Sequence, residues 1–212
     1  GIFVVAAAGN SGSNCQTILL PALLEEVYAV GNIRQDSLLS ATSSRGPFVY
    51  NGDRVKPDIA APGTGIRSSI RGGNYGNNSG TSMASPHVAG AAALLMAAAP
   101  FLIGNVAEIE HVLSSTAIPR WVNEPCGDLN PEDVPNNEFG HGILDVLAAV
   151  KYALDVLPIR LLHFSGQAFA NGNVLLWKTT DERNFSHFEI ERSPDGLSWE
   201  TVIKKPAFWQ SA

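Results

Sequence analysis

Apolar runs and polar turns alternate in the first third of the chain. The first eight residues are almost wholly apolar and lead into the polar turn Gly9-Asn10. A continuous apolar run of this kind predicts a strand buried on both faces of a parallel sheet. A second apolar strand is predicted at Val27–Gly31, and a third around Asp58–Ala60 between turns rich in glycine and proline.

Helical spacing of apolar residues appears further along the chain. It predicts a helix over Asn105–Ser115 and another after Asp145, whose side chain stands where an N-cap is expected. The stretch Gly80–Ala99 is built almost wholly from small residues. Pro86 has no backbone N–H and is therefore tolerated in the first turn of a helix, where N–H groups have no partner. Its position predicts that the helix begins near Ser82. A helix that is apolar all round is expected to be buried on every side.

Beyond residue 158 the pattern changes to short strands. Phe188 and Ile190 alternate with glutamates, which is typical of a half-buried strand. Ser193–Gly196 has the composition of a hairpin turn. Trp177 and Trp199 are expected to lie in the core of this region, and a glycan-binding surface is the alternative.

The composition of the chain excludes some classes of partner but predicts no further secondary structure. The chain has 212 residues and a net charge of −6 without a basic cluster, which argues against nucleic acid as a partner. No apolar run approaches the length of a membrane span. We predict an α/β domain over residues 1–157, followed by a partial all-β sandwich over residues 158–212.

Ser82 stands at the mouth of the predicted small-residue helix. The N–H groups and partial positive charge at a helix N-terminus stabilise an oxyanion beside such a serine. A serine in this position is, taken alone, far more often a helix cap. The run Gly80-Thr-Ser-Met-Ala-Ser-Pro-His-Val-Ala-Gly90, however, closely resembles the nucleophile motif of the subtilisin-like serine proteases. The full motif favours Ser82 as a nucleophile.

The resemblance extends to the apolar run at the start of the chain. Ala8-Gly9-Asn10 matches the family segment whose asparagine amide donates to the oxyanion. For Asn10 the alternative is an ordinary turn residue. In the family the strand before that asparagine lines the substrate pocket, which implies a substrate-binding role for four small residues. They are Ala6, Ala7, Ala8 and Gly9.

The resemblance covers about residues 1–157 and implies a three-layer α/β sandwich with a mainly parallel sheet, truncated at its N-terminus. In the family the catalytic Asp and His precede the oxyanion asparagine, so both are expected upstream of Gly1. His87 is interpreted as a core or hydrogen-bonding histidine, and Asp58 as a residue that caps or bonds local backbone. The β tail resembles the start of a fibronectin-III-like module.

These expectations combine into one function and one alternative. The chain is expected to be a fragment of a secreted or cell-surface, bacterial-type serine endopeptidase that acts on polypeptides through an acyl-enzyme on Ser82. Without the upstream Asp and His it is expected to be inactive. The alternative is a pseudoprotease, or a polypeptide- or surface-binding protein, on the same scaffold. Further C-terminal β modules are expected in the full-length protein.

The sequence determines metal binding and disulfide pairing less well than it determines the fold. Four acidic residues offer the oxygen ligands that calcium prefers, but they lack a ligand spacing, so a solvated acidic loop is favoured over a structural calcium site. They are Asp128, Glu132, Asp133 and Glu138. No other cofactor is expected. For Cys15 and Cys126 three states are open: a disulfide with each other, disulfides with cysteines elsewhere, or free thiols. Two cysteines are too few to choose between these three states.

Overall fold

A computed structural model of the chain describes residues 1–47, 55–155, 161–169, 172–179 and 187–206. The chain divides into two compact units, Gly1–Ala153 and Leu154–Ala212. The first unit contains a parallel sheet packed on helices, and the second contains antiparallel strands. The predicted domain boundary between residues 157 and 158 lies outside the described residues and stays a prediction.

A three-stranded parallel sheet, in the order β1-β2-β3, lies at the centre of the first unit. Its strands are β1 (Val5–Ala7), β2 (Tyr28–Ile33) and β3 (Ile59–Pro62). β2 is buried along its whole length, as expected for the middle strand of a parallel sheet. β1 is shorter than the predicted run, because it is an edge strand of this sheet and Ile2 and Val4 are exposed.

Helix α1 (Thr81–Ala98) packs against all three strands of the parallel sheet. Its small residues let the helix approach the strands closely, and Ala84, Ala91 and Ala92 are buried there. The opposite face is open, and Leu94 on it is 59% exposed. The expectation that this helix is buried on every side is therefore wrong for the part of the chain that the structure describes. None of the described helices is both long and apolar enough to span a bilayer.

Pro86 lies in the second turn of α1 rather than the first, because the helix begins at Thr81. Proline has no N–H to donate to the carbonyl of Ser82, four residues earlier, so the helix lacks one bond just after the serine. The neighbouring His87 is exposed and not packed in the interior as expected. Its Nδ1 donates to the Met83 carbonyl at 2.8 Å, so the hydrogen-bonding interpretation is the correct one.

The remaining helices of the first unit are short. They are a 3₁₀ turn (Pro100–Leu102), α2 (Val106–Ser115) and α3 (Val146–Asp155). The Oδ1 of Asn105 accepts the N–H of Glu108 at 3.4 Å, and that of Asp145 accepts the N–H of Ala148 at 2.9 Å. Both predicted helices are confirmed, as is the predicted cap at Asp145, and the Asn105 cap is a finding of the structure.

Antiparallel hairpins make up the rest of the described structure. They are β4 (Ile66–Ile70) with β5 (Asn74–Asn78), β6 (Leu161–Phe169) with β7 (Gly172–Thr179), and β8 (His187–Arg192) with β9 (Glu200–Pro206). The Trp177 ring lies 5.6 Å from that of Phe188 and is half-buried. Trp199, which precedes β9, is 61% exposed, so its expected core position is wrong.

A buried ion pair joins β2 to the segment that precedes β3. The Nζ of Lys56 lies 2.7 Å from Oδ2 of Asp58 and donates to the carbonyl of Val27 at 2.6 Å. The same Oδ2 accepts the N–H of Ala29 at 2.6 Å, and both charged side chains are at most 4% exposed. Asp58 therefore bonds the backbone of β2, 29 residues earlier, a contact that the expected local role did not include.

Glu138 is also buried, at 1% exposure, which corrects the expectation of a solvated acidic loop at this position. Its Oε1 accepts the N–H of Cys126 at 2.7 Å. Burial raises the pKa of Glu138 above its usual range, because a charged carboxylate loses hydration there. Within the described ranges, no group of three or more His, Cys, Asp or Glu side chains could hold a metal ion.

We expect Lys56→Met to lower the free energy of unfolding by about 3–5 kcal/mol, because the buried Asp58 carboxylate would lose its charge partner. Arg34→Met is the matched control, since the Arg34–Asp36 pair is half-exposed and should contribute little. Urea titration at neutral pH measures both variants. Similar small effects for the two variants would contradict this role of the buried pair.

Candidate active site

The carboxyl ends of β1 and β3 meet the N-terminus of α1 at one edge of the parallel sheet. The N–H of Gly63, which follows β3, donates to the carbonyl of Ile33 at 3.1 Å. The N–H of Gly80, which precedes α1, donates to the carbonyl of Gly63 at 2.8 Å. The start of α1 is thus attached to the edge of the sheet where open α/β sheets bind ligands.

Thr81 holds the side-chain amide of Asn10. Its N–H and its hydroxyl lie 2.9 and 3.1 Å from Oδ1 of Asn10. Because a backbone N–H can only donate, the asparagine atom that faces it must be the oxygen. The amide nitrogen is thereby turned away from Thr81, and no described residue accepts a hydrogen bond from it.

The same threonine also holds the backbone before Asn10. The Thr81 side chain is fully buried, and its hydroxyl accepts the N–H of Gly9 at 3.2 Å. Gly80 has a positive φ of 152°, and a Cβ there would lie 3.2 Å from Nδ2 of Asn10. Glycine is therefore needed for the helix to start this close to the amide. The sequence did not predict this role of Thr81. Its position between Gly80 and Ser82 was the one signal that pointed to it.

Ser82 is the second residue of α1 and is exposed. The N–H groups of Met83 and Ala84 bond the carbonyl of Gly80, whereas that of Ser82 has no acceptor in the described part of the chain. The first turn of α1 contains no acidic residue that would neutralise the positive end of the helix dipole. A donor and a positive potential therefore lie beside the Ser82 side chain.

The predicted pocket residues have different exposures. Ala8 is fully buried in a cluster with Ile18, Ala22 and Ala29, so its side chain belongs to the core. Ala6, Ala7 and Gly9 are half-buried. Ala6 and Ala7 lie in β1, and Gly9 lies between the end of β1 and Asn10. Leu19, which sequence reasoning did not single out, lies 3.3 Å from where a Cβ of Gly9 would stand.

Among the described residues, no histidine bonds the Ser82 hydroxyl. His87 lies five residues further along α1, about 140° around the helix axis, and its Nδ1 is bonded to Met83. His111 on α2 lies 3.5 Å from the hydroxyl of Tyr152 on α3. The N–H of His141 donates to the carbonyl of Asp58. The described site therefore contains an exposed serine and two N–H donors, and no described histidine is bonded to that serine.

Cys15 and Cys126 form a disulfide with Cα atoms 5.5 Å apart, so the first of the three alternatives is correct. The bond joins the loop that follows Asn10 to the segment that precedes Glu138.

Comparison with known proteins relates most of the first unit to one family. The model of the subtilase family, peptidase S8, matches residues 1–142. Bacillopeptidase F of Bacillus subtilis (strain 168) is 40% identical over 161 residues, which are 74% of this chain and 10% of that protein. Serine protease AprX of the same organism is 38% identical over 145 residues, covering 58% of this chain and 32% of AprX.

A solved structure agrees with this relation. The prenylagaramide maturation protease PagA is 28% identical with a TM-score of 0.53, over 72% of this chain and 50% of PagA. This chain spans about a tenth and about a third of the length of the two curated relatives. The region matched by the family model contains Asn10, Thr81 and Ser82. The chain therefore belongs to the subtilase family of serine peptidases.

Proposed function

We propose that this chain supplies the nucleophile and the oxyanion site of a secreted serine endopeptidase that acts on polypeptides. The observation that carries the proposal is the pair of bonds from Thr81 to Oδ1 of Asn10. These bonds leave the amide N–H groups of Asn10 available to a ligand, and the backbone N–H of Ser82, in the first turn of α1, is available as well. Two such donors beside an exposed serine suit acyl transfer.

In the proposed reaction the Ser82 oxygen attacks the scissile carbonyl carbon and gives its proton to a histidine. The carbonyl oxygen becomes an oxyanion that accepts bonds from Nδ2 of Asn10 and the N–H of Ser82. Collapse of this intermediate passes the proton to the leaving amine and forms an acyl-enzyme on Ser82. Water then hydrolyses the ester with the same histidine as base.

The histidine and its aspartate come, in this proposal, from chain outside these 212 residues. The support is that no described residue acts as a base for Ser82. The open face of α1 and the exposed residues Ile2 and Val4 beside β1 offer surface for a further part of the protein. The 212-residue chain alone is therefore proposed to be inactive.

Substrate binding, localisation and the tail complete the proposal. The half-buried residues Ala6, Ala7 and Gly9, with the backbone of Ala8, are proposed to line the pocket for the substrate side chain. The disulfide supports export from the cell, because disulfides persist in oxidising compartments. The antiparallel hairpins of the second unit support a fibronectin-III-like module, with further β modules after it.

A pseudoprotease or a polypeptide- or surface-binding protein is the second candidate. It is favoured by the same observation that no described residue supplies a base for Ser82. The two candidates differ in whether the full-length protein contains a working Asp and His.

We expect the full-length protein to be labelled at Ser82 by a fluorophosphonate probe, because the reagent requires an activated serine. The 212-residue chain should not be labelled, and mass spectrometry of the modified peptide checks both. Ser82→Ala in the full-length protein is the control for labelling elsewhere. Strong labelling of the short chain would contradict its proposed inactivity, and an unlabelled full-length protein would favour the pseudoprotease.

We expect Asn10→Ala in the full-length enzyme to lower kcat by about a hundred- to a thousandfold, which is the loss seen on removing the oxyanion asparagine of a subtilisin. KM should change little, since the donor acts on the oxyanion. Steady-state kinetics on a peptide substrate measures both constants. Asn14→Ala is the matched control, because Asn14 is an exposed residue of the same loop. Equal kinetics of the two variants would remove Asn10 from the mechanism.

We expect Thr81→Val to have a smaller effect of about tenfold in kcat, since it removes one hydroxyl but keeps the backbone N–H bonded to Asn10. Thr81→Ser, which retains the hydroxyl, should restore most of the activity. If valine and serine behaved alike, the hydroxyl would have no part in holding the amide.

A further inference from the structure

The loop after Asn10 is attached to a neighbouring segment by hydrogen bonds. We call residues 10–17 the oxyanion loop, because it begins at the proposed oxyanion donor. Four of its N–H groups donate to the segment 42–46 at 2.9–3.1 Å. The pairs are Ser11 with the Ser44 hydroxyl, Gly12 with the Thr42 carbonyl, Gln16 with the Gly46 carbonyl and Thr17 with the Arg45 carbonyl.

The middle of the oxyanion loop has a different attachment. The N–H groups of Ser13, Asn14 and Cys15 have no acceptor within the described ranges. Cys15 is instead joined to Cys126 by the disulfide, across 111 residues of sequence. The covalent bond therefore holds the part of the loop whose N–H groups make no hydrogen bond to the segment 42–46.

The other end of the disulfide lies in a firmly bonded environment. Cys126 is 4% exposed, and its N–H and carbonyl bond the side chains of Glu138 and Asn137 at 2.7 and 2.8 Å. Both of these side chains are buried. Cys126 is thus a fixed point to which the exposed Cys15 is tied.

The two ends are also linked through the segment 42–46, which closes a ring. The N–H of Gly46 donates to the carbonyl of Asn137 at 2.9 Å, and the carbonyl of Gly46 accepts the N–H of Gln16 at 3.0 Å. The ring passes through Cys15, Gln16, Gly46, Asn137 and Cys126, and the disulfide is its one covalent cross-link. Cutting that bond leaves the ring closed by three hydrogen bonds, beside the other bonds between the loop and the segment 42–46.

We propose that the Cys15–Cys126 disulfide is a redox-sensitive clamp, which positions the oxyanion loop and whose reduction loosens that loop without unfolding the parallel sheet. The structural part of this proposal, that the disulfide holds the loop in place, is argued only from the contacts of Cys15 and Cys126. Its consequence for catalysis rests on the proposed function, since it requires Asn10 to be the oxyanion donor.

The two sulfurs differ in their surroundings, which determines how the clamp opens. Cys15 is exposed, whereas Cys126 is buried. A thiolate of a small dithiol attacks the sulfur of Cys15, forms a mixed disulfide there and releases Cys126 as a thiolate that takes up a proton. The second thiol of the reagent then displaces Cys15. The dithiol is oxidised to a cyclic disulfide, and both cysteines are reduced to thiols.

Hydrogen exchange of the 212-residue chain tests the clamp without requiring catalysis. We expect the bonded amides of the loop, those of Ser11, Gly12, Gln16 and Thr17, to exchange at least about tenfold faster after reduction with dithiothreitol and alkylation, while those of β2 keep their rates. The double variant C15S/C126S should show the same pattern, and Asn14→Ala should resemble the oxidised protein. Unchanged exchange in the loop, or an equal increase in β2, would overturn the proposal.

Kinetics of the full-length enzyme separates the clamp from the proposed function. Reduction should lower kcat with little change in KM, and reoxidation should restore it, because the loop acts through an oxyanion donor. A reduced enzyme whose kcat is unchanged, in a protein where Asn10→Ala is impaired, would overturn the positioning role. If Asn10→Ala is itself fully active, the proposed function of Asn10 fails, while faster exchange of the loop on reduction still supports the clamp.

Discussion

The hydrogen bond from the Thr81 N–H to Oδ1 of Asn10 is the contact on which the rest of the site depends. It joins the residue that follows β1 to the first residue of α1 at 2.9 Å. A neutral hydrogen bond contributes only about 0.5–1.5 kcal/mol to stability, so the importance of this one lies in its direction. Since it determines which amide atom faces the helix, it also orients the remaining donor, Nδ2 of Asn10, away from Thr81.

Buried polar groups bond segments of the first unit that are distant in sequence. The Lys56–Asp58 pair bonds the backbone of β2, and Glu138 bonds the backbone of Cys126. A buried ion pair is weak evidence for stability, because desolvation offsets much of its attraction. Each of these groups, however, bonds a backbone group of a distant segment. Their common effect is to position irregular loops that the small parallel sheet would not hold by apolar packing alone.

The errors at His87 and Glu138 share one physical cause, which is that the sequence pattern does not show the tertiary neighbours of a residue. Helical periodicity shows which residues lie on one face of α1, but not what lies opposite that face, so His87 was expected in the interior and is exposed. The acidic composition around Glu138 is typical of a solvated loop, yet the backbone of Cys126 gives this carboxylate a buried partner. Pro86 was assigned to the first helical turn because the exact start of a helix is weakly encoded.

The sequence by itself determined the local elements and the family. The cap at Asp145, the strand His187–Arg192 and the position of Ser82 at a helix start all follow from patterns within a few residues. Only the tertiary structure decided the contacts between distant residues. Asn10 and Thr81 are 71 residues apart, and Cys15 and Cys126 are 111 apart. Such pairs depend on how the strands and helices pack, and local propensity carries no information about which distant segment will lie alongside.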